Sequence, residues 1–347
     1  MKLPLRPKPY WIESYRPKPF GRLEDDLEVD TVVIGGGIAG LTTAYLLSHT
    51  GQTVAVLEKD RIGTGVTGHT TGKVSSQHDY IYHTFAERFG DEAARTYGAA
   101  NEAAIDEIES IIEREGIECD WQRDDNYVFT EQADKVDELK EEAETARRLG
   151  LPASFEPDTP LPFPVRAAVK FSNQAHFHSR KYVDGLAHAV ERNGGYVFEQ
   201  TKAQYVKDGR RVRVKTRSGT VQAHHAVLAT HVPKASFARL TYALREAPQT
   251  SYLVAGKPKD EFGGMYISHG EPHRSILPIG SGGNRLVLVG GESHLPTVLF
   301  DERRSRYRNL AHFAAERFVF ANPRACKILG YATGELDGKE ELPLIAE

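Results

Sequence analysis

Asp30–Gly40 reads DTVVIGGGIAG, and the order of residue types in it decides the first part of the fold. Val32, Val33 and Ile34 form a continuous apolar run, the pattern of a strand covered on both faces. Gly35, Gly37 and Gly40 follow in G-x-G-x-x-G spacing. In a strand–turn–helix setting the first glycine permits the tight turn and the second lets backbone approach a pyrophosphate. The third lets the helix lie close on the sheet. The helix start then offers unpaired N–H groups and a positive dipole end to phosphate. Outward from this turn, Leu41, Ala44, Tyr45 and Leu47 recur at helical spacing, and Gly51 closes the helix. TVAVLE supplies a second strand ending at Glu58, 23 residues after Gly35, where an acid can accept hydrogen bonds from ribose hydroxyls.

The chain has 347 residues, a formal charge of −4 and a hydrophobic fraction of 40%, which gives room for two domains and no polybasic surface for nucleic acid. No apolar run approaches the roughly eighteen residues of a membrane span. The proline- and lysine-rich N-terminus lacks the apolar segment of a signal peptide, so a cytoplasmic location is expected. Cys119 and Cys326 are the two cysteines, and they cannot form a four-cysteine metal or iron–sulfur site. The histidines are dispersed, and His176-x-His178 alone makes no metal site, so none is expected.

Residues 1–28 form an arm with two similar pieces, RPKPYW from Arg6 and RPKPF from Arg16. Their prolines argue against helix or central strand, and Trp11, Tyr15 and Phe20 can anchor the arm on a domain surface. After Glu58 comes RIGTGVTGHTTGK, Arg61–Lys73, rich in glycine and threonine. Such a loop can wrap a cofactor with backbone N–H groups and hydroxyls. Residues 84–115 carry an apolar helical stripe that stops at Gly116. Cys119–Thr130 reads as strand, 131–149 as amphipathic helix, the proline-rich 152–164 as loop, and Ala167–Phe171 as a short strand. Tyr182–Arg192 reads as helix. Arg211–Thr216 and Thr220–Ala223 read as a hairpin turning at Ser218–Gly219. AVLAT, Ala226–Thr230, is a separate short strand returning to the first sheet. Short strands punctuated by glycine pairs over 241–293 indicate an antiparallel sheet. Tyr307, Leu310, Phe313, Ala314 and Phe318 mark the buried side of a helix over 301–319.

The stretches DTVVIGGGIAGLTTAYLL, VAVLEKDRIGTGVTGHTTGKVSSQHDYIY, HFHSRKYVDGLAHAV, AVLATH and GGESH together carry a resemblance. The chain resembles the FAD-dependent oxidoreductases of the D-amino-acid oxidase, glycine oxidase and sarcosine oxidase superfamily. It is most similar to the bacterial branch often fused to a C-terminal Rieske domain. The resemblance implies an α/β fold: a Rossmann-like FAD-binding domain and a second domain built on an antiparallel β-sheet. It places 29–115, 180–240 and 301–347 in the first domain, and 119–175 and 245–300 in the substrate domain. By the same resemblance Gly35, Gly37 and Gly40 receive the pyrophosphate. Glu58 holds the adenosine ribose, with Arg61 beside it. Thr70, Thr71 and Gly72 lie along the path from pyrophosphate to flavin. Tyr205–Val206 offers backbone to adenine, and Thr230 closes the AVLAT strand, followed by His231 in place of the family's glycine.

Two departures from the family pattern follow. His69 stands where that branch has arginine; HTTG is similar to the HAAG of relatives that bond the histidine to flavin. An uncharged or hydrogen-bonding pocket histidine and an incidental loop histidine are the alternatives. Leu342–Ile345 resembles the start of a segment that continues into a glycine-rich flavin-closing element. The chain ends at Glu347, so that element and the Rieske domain are expected to be absent. Gln77 and His78, just after the wrapping loop, join His69 as candidate catalytic residues. His176, His178, Arg180 and His294 are lesser candidates. The implied activity is hydride removal beside an amine nitrogen of a small-molecule substrate, with electrons passing to oxygen or another acceptor. A non-catalytic FAD-binding protein and an NAD(P)-dependent dehydrogenase are the alternatives.

Overall fold

The computed structural model describes residues 9–231, 249–295, 300–318 and 344–345. Arg6, Cys326 and Leu342, all used in the sequence reading, lie outside the described residues.

One sheet has six strands. From edge to edge they are Tyr196–Phe198, Val54–Leu57, Leu27–Ile34, Thr220–Leu228, Val212–Lys215 and Tyr205–Lys207. The first four are mutually parallel and the last two run antiparallel. Alternation along the central strands explains their unbroken apolar runs. Val33 and Val56 face a core with Leu41, Ala44, Tyr45, Tyr182, Leu186 and Val190. Val32, Ile34, Ala55 and Leu57 face the other side, with Leu23, Val214 and Val221. Helices Ile38–His49 and Ser179–Arg192 cover the first face. The two short strands expected over 220–230 are one strand, Thr220–Leu228. Its start pairs with Val212–Lys215 while its whole length follows Leu27–Ile34, so the polar His224 and His225 do not interrupt it.

The second sheet has nine strands. Its path runs Leu344–Ile345, Thr250–Gly256, Leu286–His294, Arg274–Ile279, Met265–Ser268, Gln122–Thr130, Ala167–His176 and Lys73–Val74, with Ala153–Glu156 also on Ala167–His176. All pairings are antiparallel except Met265–Ser268 with Gln122–Thr130. The fold is therefore α/β, a Rossmann-like unit joined to a largely antiparallel sheet.

Several local readings change. The 84–115 stripe is two helices, Tyr82–Phe89 and Asp91–Glu115, because Gly90 between them takes φ +84°. Its long helix bridges the units. Ala94 packs with Val128 and Phe171 of the second sheet and Leu139 of the helix Val136–Arg148, while Ile111 and Ile112 join the core of the first. The proline-rich 152–164 stretch still contributes the strand Ala153–Glu156. The arm forms one helical turn, Tyr10–Glu13, immediately after Pro9. The helix Phe300–Phe318, assigned from sequence to the first domain, packs on the second sheet. Leu310, Ala314 and Phe318 meet Tyr252, Val254, Phe262 and Tyr266 there. Periodicity identified its apolar side but not the aromatic face that receives it. Leu344–Ile345 likewise pairs with Leu253 and Val254 of that sheet.

Candidate functional site

At the carboxyl end of Leu27–Ile34 the chain makes the turn that opens the site. Gly35 has φ +118°, and a side chain on it would lie 2.3 Å from the Ala229 carbonyl oxygen. Gly37 precedes the helix Ile38–His49 with no side-chain cap of its own. Thr67 Oγ1 instead accepts from the Ile38 N–H at 3.2 Å. Glu58 ends the neighbouring strand and spans two donors: Oε2 accepts from Gly36 N and Oε1 from Asp60 N, both at 2.8 Å.

These groups border one cavity of about 500 Å³. Gly35–Gly37, Ile38 and Ala39 form its floor; Glu58, Lys59, Asp60, Lys202 and Ala203 line it, as do Thr67, Thr70, Ala229, Thr230 and His231. Lys202 belongs to the Glu58 end, because the adjacent Thr201 N–H donates to the Glu58 carbonyl at 2.8 Å. An acidic acceptor for hydroxyls, a helix start with aimed N–H groups, and glycines with no room for side chains fit an extended dinucleotide. On Gly37 a Cβ would already stand 3.0 Å from Thr67 Oγ1.

The other expected residues take definite places. Gly40 lies under the turn, where a Cβ would be 1.9 Å from the Gly35 carbonyl oxygen. Gly72 has φ +85°, and its carbonyl accepts from Phe177 N at 3.1 Å. Thr71 reaches the second sheet, 3.4 Å from where a side chain on Gly290 would begin. Arg61 turns away from the cavity: its Nε lies 2.6 Å from buried Glu199, and an Nη donates to the Pro17 carbonyl at 3.2 Å. Val206 sits in the edge hairpin against Val214, and Lys202–Ala203 takes the cavity position expected of it.

The candidate catalytic residues do not line this cavity. His69 closes a single 3₁₀ turn, Val66–His69, and its Nδ1 is 2.8 Å from the Gly65 carbonyl. Gln77 is buried and committed to the second sheet: Nε2 donates to Val169 O at 2.8 Å, and Oε1 accepts from Asn126 at 2.7 Å. His78 is exposed, with Nδ1 3.0 Å from the Tyr97 hydroxyl. The lesser histidine candidates do not line the cavity either. His178 Nδ1 accepts from Lys181 N and caps Ser179–Arg192, and burial lowers its pKa to about 4. His176 is also buried and lowered by desolvation, opposite Lys73 and Gln122. His294 Nε2 is 2.6 Å from the Tyr252 hydroxyl. Thr67 and Lys202 are the site residues that the sequence reading did not single out. Thr67 lay within the glycine–threonine loop, and nothing local marked Lys202.

No described helix is long and apolar enough to cross a membrane. The family model described as FAD dependent oxidoreductase (DAO) matches residues 30–347. The putative Rieske 2Fe-2S iron-sulfur protein YhfW of Bacillus subtilis (strain 168) is 36% identical over 290 residues, covering 83% of this chain and 57% of that protein. The gamma-glutamylputrescine oxidoreductase of Escherichia coli (strain K12) is 28% identical over 227 residues, covering 63% of this chain and 53% of that one. The chain thus spans little more than half the length of these curated relatives. The glycine oxidase structure from Geobacillus kaustophilus shares the fold, with a TM-score of 0.64 at 19% identity, over 84% of this chain and 78% of that one. The floor of glycines, the acid at Glu58 and the match from residue 30 onward converge: the chain belongs to the family of FAD dependent oxidoreductases.

Proposed function

We propose that this protein, with FAD bound, oxidises a small amine or amino-acid-like substrate at a carbon beside nitrogen. The observation that carries the reading is one cavity bordered by the glycine turn, Glu58, and the Thr67–Thr70 and Thr230 segments. FAD, when bound, would supply the hydride acceptor, with oxygen or another compound as the final electron acceptor. The chain's residues bind and orient. The start of Ile38–His49 receives the pyrophosphate, and Glu58 accepts from ribose hydroxyls while Lys202 faces the same end. Arg61 acts at one remove: it fixes Glu199, whose Oε1 accepts from Ile62 N at 2.8 Å. Thr70, Thr230 and His231 flank the other end, and Thr71–Gly72 lead from it to the second sheet, where substrate is held. His69, one residue before Thr70, serves as a hydrogen-bonding group there, with Nδ1–H given to Gly65. Gln77 and His78 act by shaping the second sheet and its flank.

Relatives named for gamma-glutamylputrescine and glycine, both amines, support the substrate class. The test is visible absorption of the purified protein, followed by anaerobic mixing with a panel of amines and amino acids. Bound flavin bleached by an amine supports the reading. Failure to hold or take up FAD overturns it, and bound FAD that no amine bleaches overturns the substrate class.

A further inference from the structure

We propose that the short helix of the arm, Tyr10–Glu13, is a latch that holds the cofactor-facing loop in its binding shape, with Trp11 as the positioning residue. The family match begins at residue 30, so the arm precedes it. A single helical turn has no stability of its own; its contacts hold it. Trp11 is 3% exposed, and its Nε1 donates to the Thr70 carbonyl at 2.6 Å. The same ring backs Gly72, where a Cβ would lie 2.8 Å from Trp11 Cζ2. Ile12 backs Gly68 in the same way, at 2.9 Å. The arm therefore touches the loop at Gly68, Thr70 and Gly72, and none of Tyr10–Glu13 lines the cavity that Thr67 and Thr70 border.

The arm is in turn fastened to the helix Ser179–Arg192. Arg180 Nη1 donates to the carbonyls of Ile12 at 2.9 Å and Tyr15 at 2.8 Å. Tyr15 donates to Asp184 at 2.7 Å, and the His178 ring lies edge-on to Trp11 at 4.7 Å. The loop needs this support because it has little core of its own. Between Gly63 and Gly72 the one large apolar residue is Val66, and it is 56% exposed. Trp11 and Ile12 supply the apolar backing that the glycines and threonines cannot.

The inference rests on the cavity being the FAD site, and its test separates the two. W11F keeps the ring and removes the donor; W11A removes both. R16A, which removes only a largely exposed ion pair to Glu13 of the kind that contributes little, is the control. FAD affinity is read by flavin fluorescence, and loop order by amide exchange over residues 63–72 of the apoprotein. We expect W11F to weaken FAD roughly tenfold, the worth of one buried hydrogen bond. W11A should weaken it further, with faster exchange at 63–72 in both and wild-type behaviour in R16A. Wild-type affinity and exchange in folded W11F overturn the latch, and W11F decides alone if W11A does not fold. If the wild type takes up no FAD, the cofactor reading fails, while the exchange data still decide whether Trp11 orders the loop.

Discussion

Replacing Gly40 with alanine puts two physical effects in opposition, and the structure says which wins. Alanine is favoured over glycine inside a helix by about 1 kcal/mol, so propensity alone predicts a more stable protein. The geometry predicts the reverse. A Cβ on Gly40 would sit 1.9 Å from the Gly35 carbonyl oxygen, about 1.5 Å short of ordinary contact, and 3.3 Å from Ala229 Cβ. The obstacle is backbone, and Gly35 is pinned by its own N–H donating to Leu57 O at 2.9 Å. The helix cannot retreat freely either, because Leu41, Ala44 and Tyr45 are fully buried. Overpacking of this kind costs about 1–3 kcal/mol, and two unyielding backbones place it at the upper end. The net expectation for G40A is a loss of about 2 kcal/mol after the propensity gain. Relief requires the helix start to lift, which displaces the N–H groups at the cavity floor, so FAD affinity should fall as well. Thermal melts of the apoprotein and flavin fluorescence titrations measure both, with G21A as control because a Cβ there meets nothing within 4 Å. A G40A protein that melts at or above the wild-type temperature and binds FAD equally would refute the close-packing argument.

Three further outcomes follow from particular contacts. Glu58 serves Gly36 N and Asp60 N with separate oxygens, so E58Q must turn an amide NH₂ toward an N–H donor. FAD affinity should drop about tenfold or more by fluorescence titration, and an unchanged value would count against Glu58 as the ribose acceptor. His269 lies between Asp79 at 2.9 Å and Glu138 at 2.8 Å, and the hydrogen bond its ring N–H donates to Asp79 raises its pKa above the ordinary 6.5. Its contribution to stability is complete below pH 6.5 and is lost as pH rises through the higher folded value. Urea unfolding of wild type and H269Q should therefore converge as pH rises from about 5.5 to 8.5; a constant difference would show that the charge is not involved. Because His69 does not line the cavity and its Nδ1 is turned to the Gly65 carbonyl, the flavin should be held without a covalent bond to it. Acid precipitation should leave all the yellow colour in solution, and a yellow pellet would disprove this.

The parts of the site legible in sequence were those where backbone geometry restricts residue type. Gly35 needs φ +118° beside the Ala229 carbonyl, and Gly40 needs an absent side chain; no other residue meets either condition without strain. Glu58 was legible because a strand end fixes its distance from the turn. The return of the AVLAT stretch to the first sheet was likewise legible from its short apolar run, and its strand lies parallel to Leu27–Ile34. Legibility fails where the deciding partner is remote. Among the loop threonines, Thr64 donates to its own Arg61 carbonyl while Thr67 meets the Ile38 N–H, and no local signal separates them. Tyr205–Val206, expected to offer backbone to adenine, does not line the cavity, whereas Lys202–Ala203 does, after the chain turns at Gln200 with φ +51°.

Gln77 shows the same limit from the other side. Its position after the wrapping loop suggested chemistry, but its amide is claimed by Asn126 and Val169, 49 and 92 residues away. Trp11 presents the limit in its most consequential form. A buried tryptophan in an arm says that something is anchored, and the Thr70 carbonyl, 59 residues on, says what. One indole N–H thereby joins a segment preceding the family match to the wall of the cofactor cavity. A substitution there should change FAD affinity although Trp11 itself does not line the cavity.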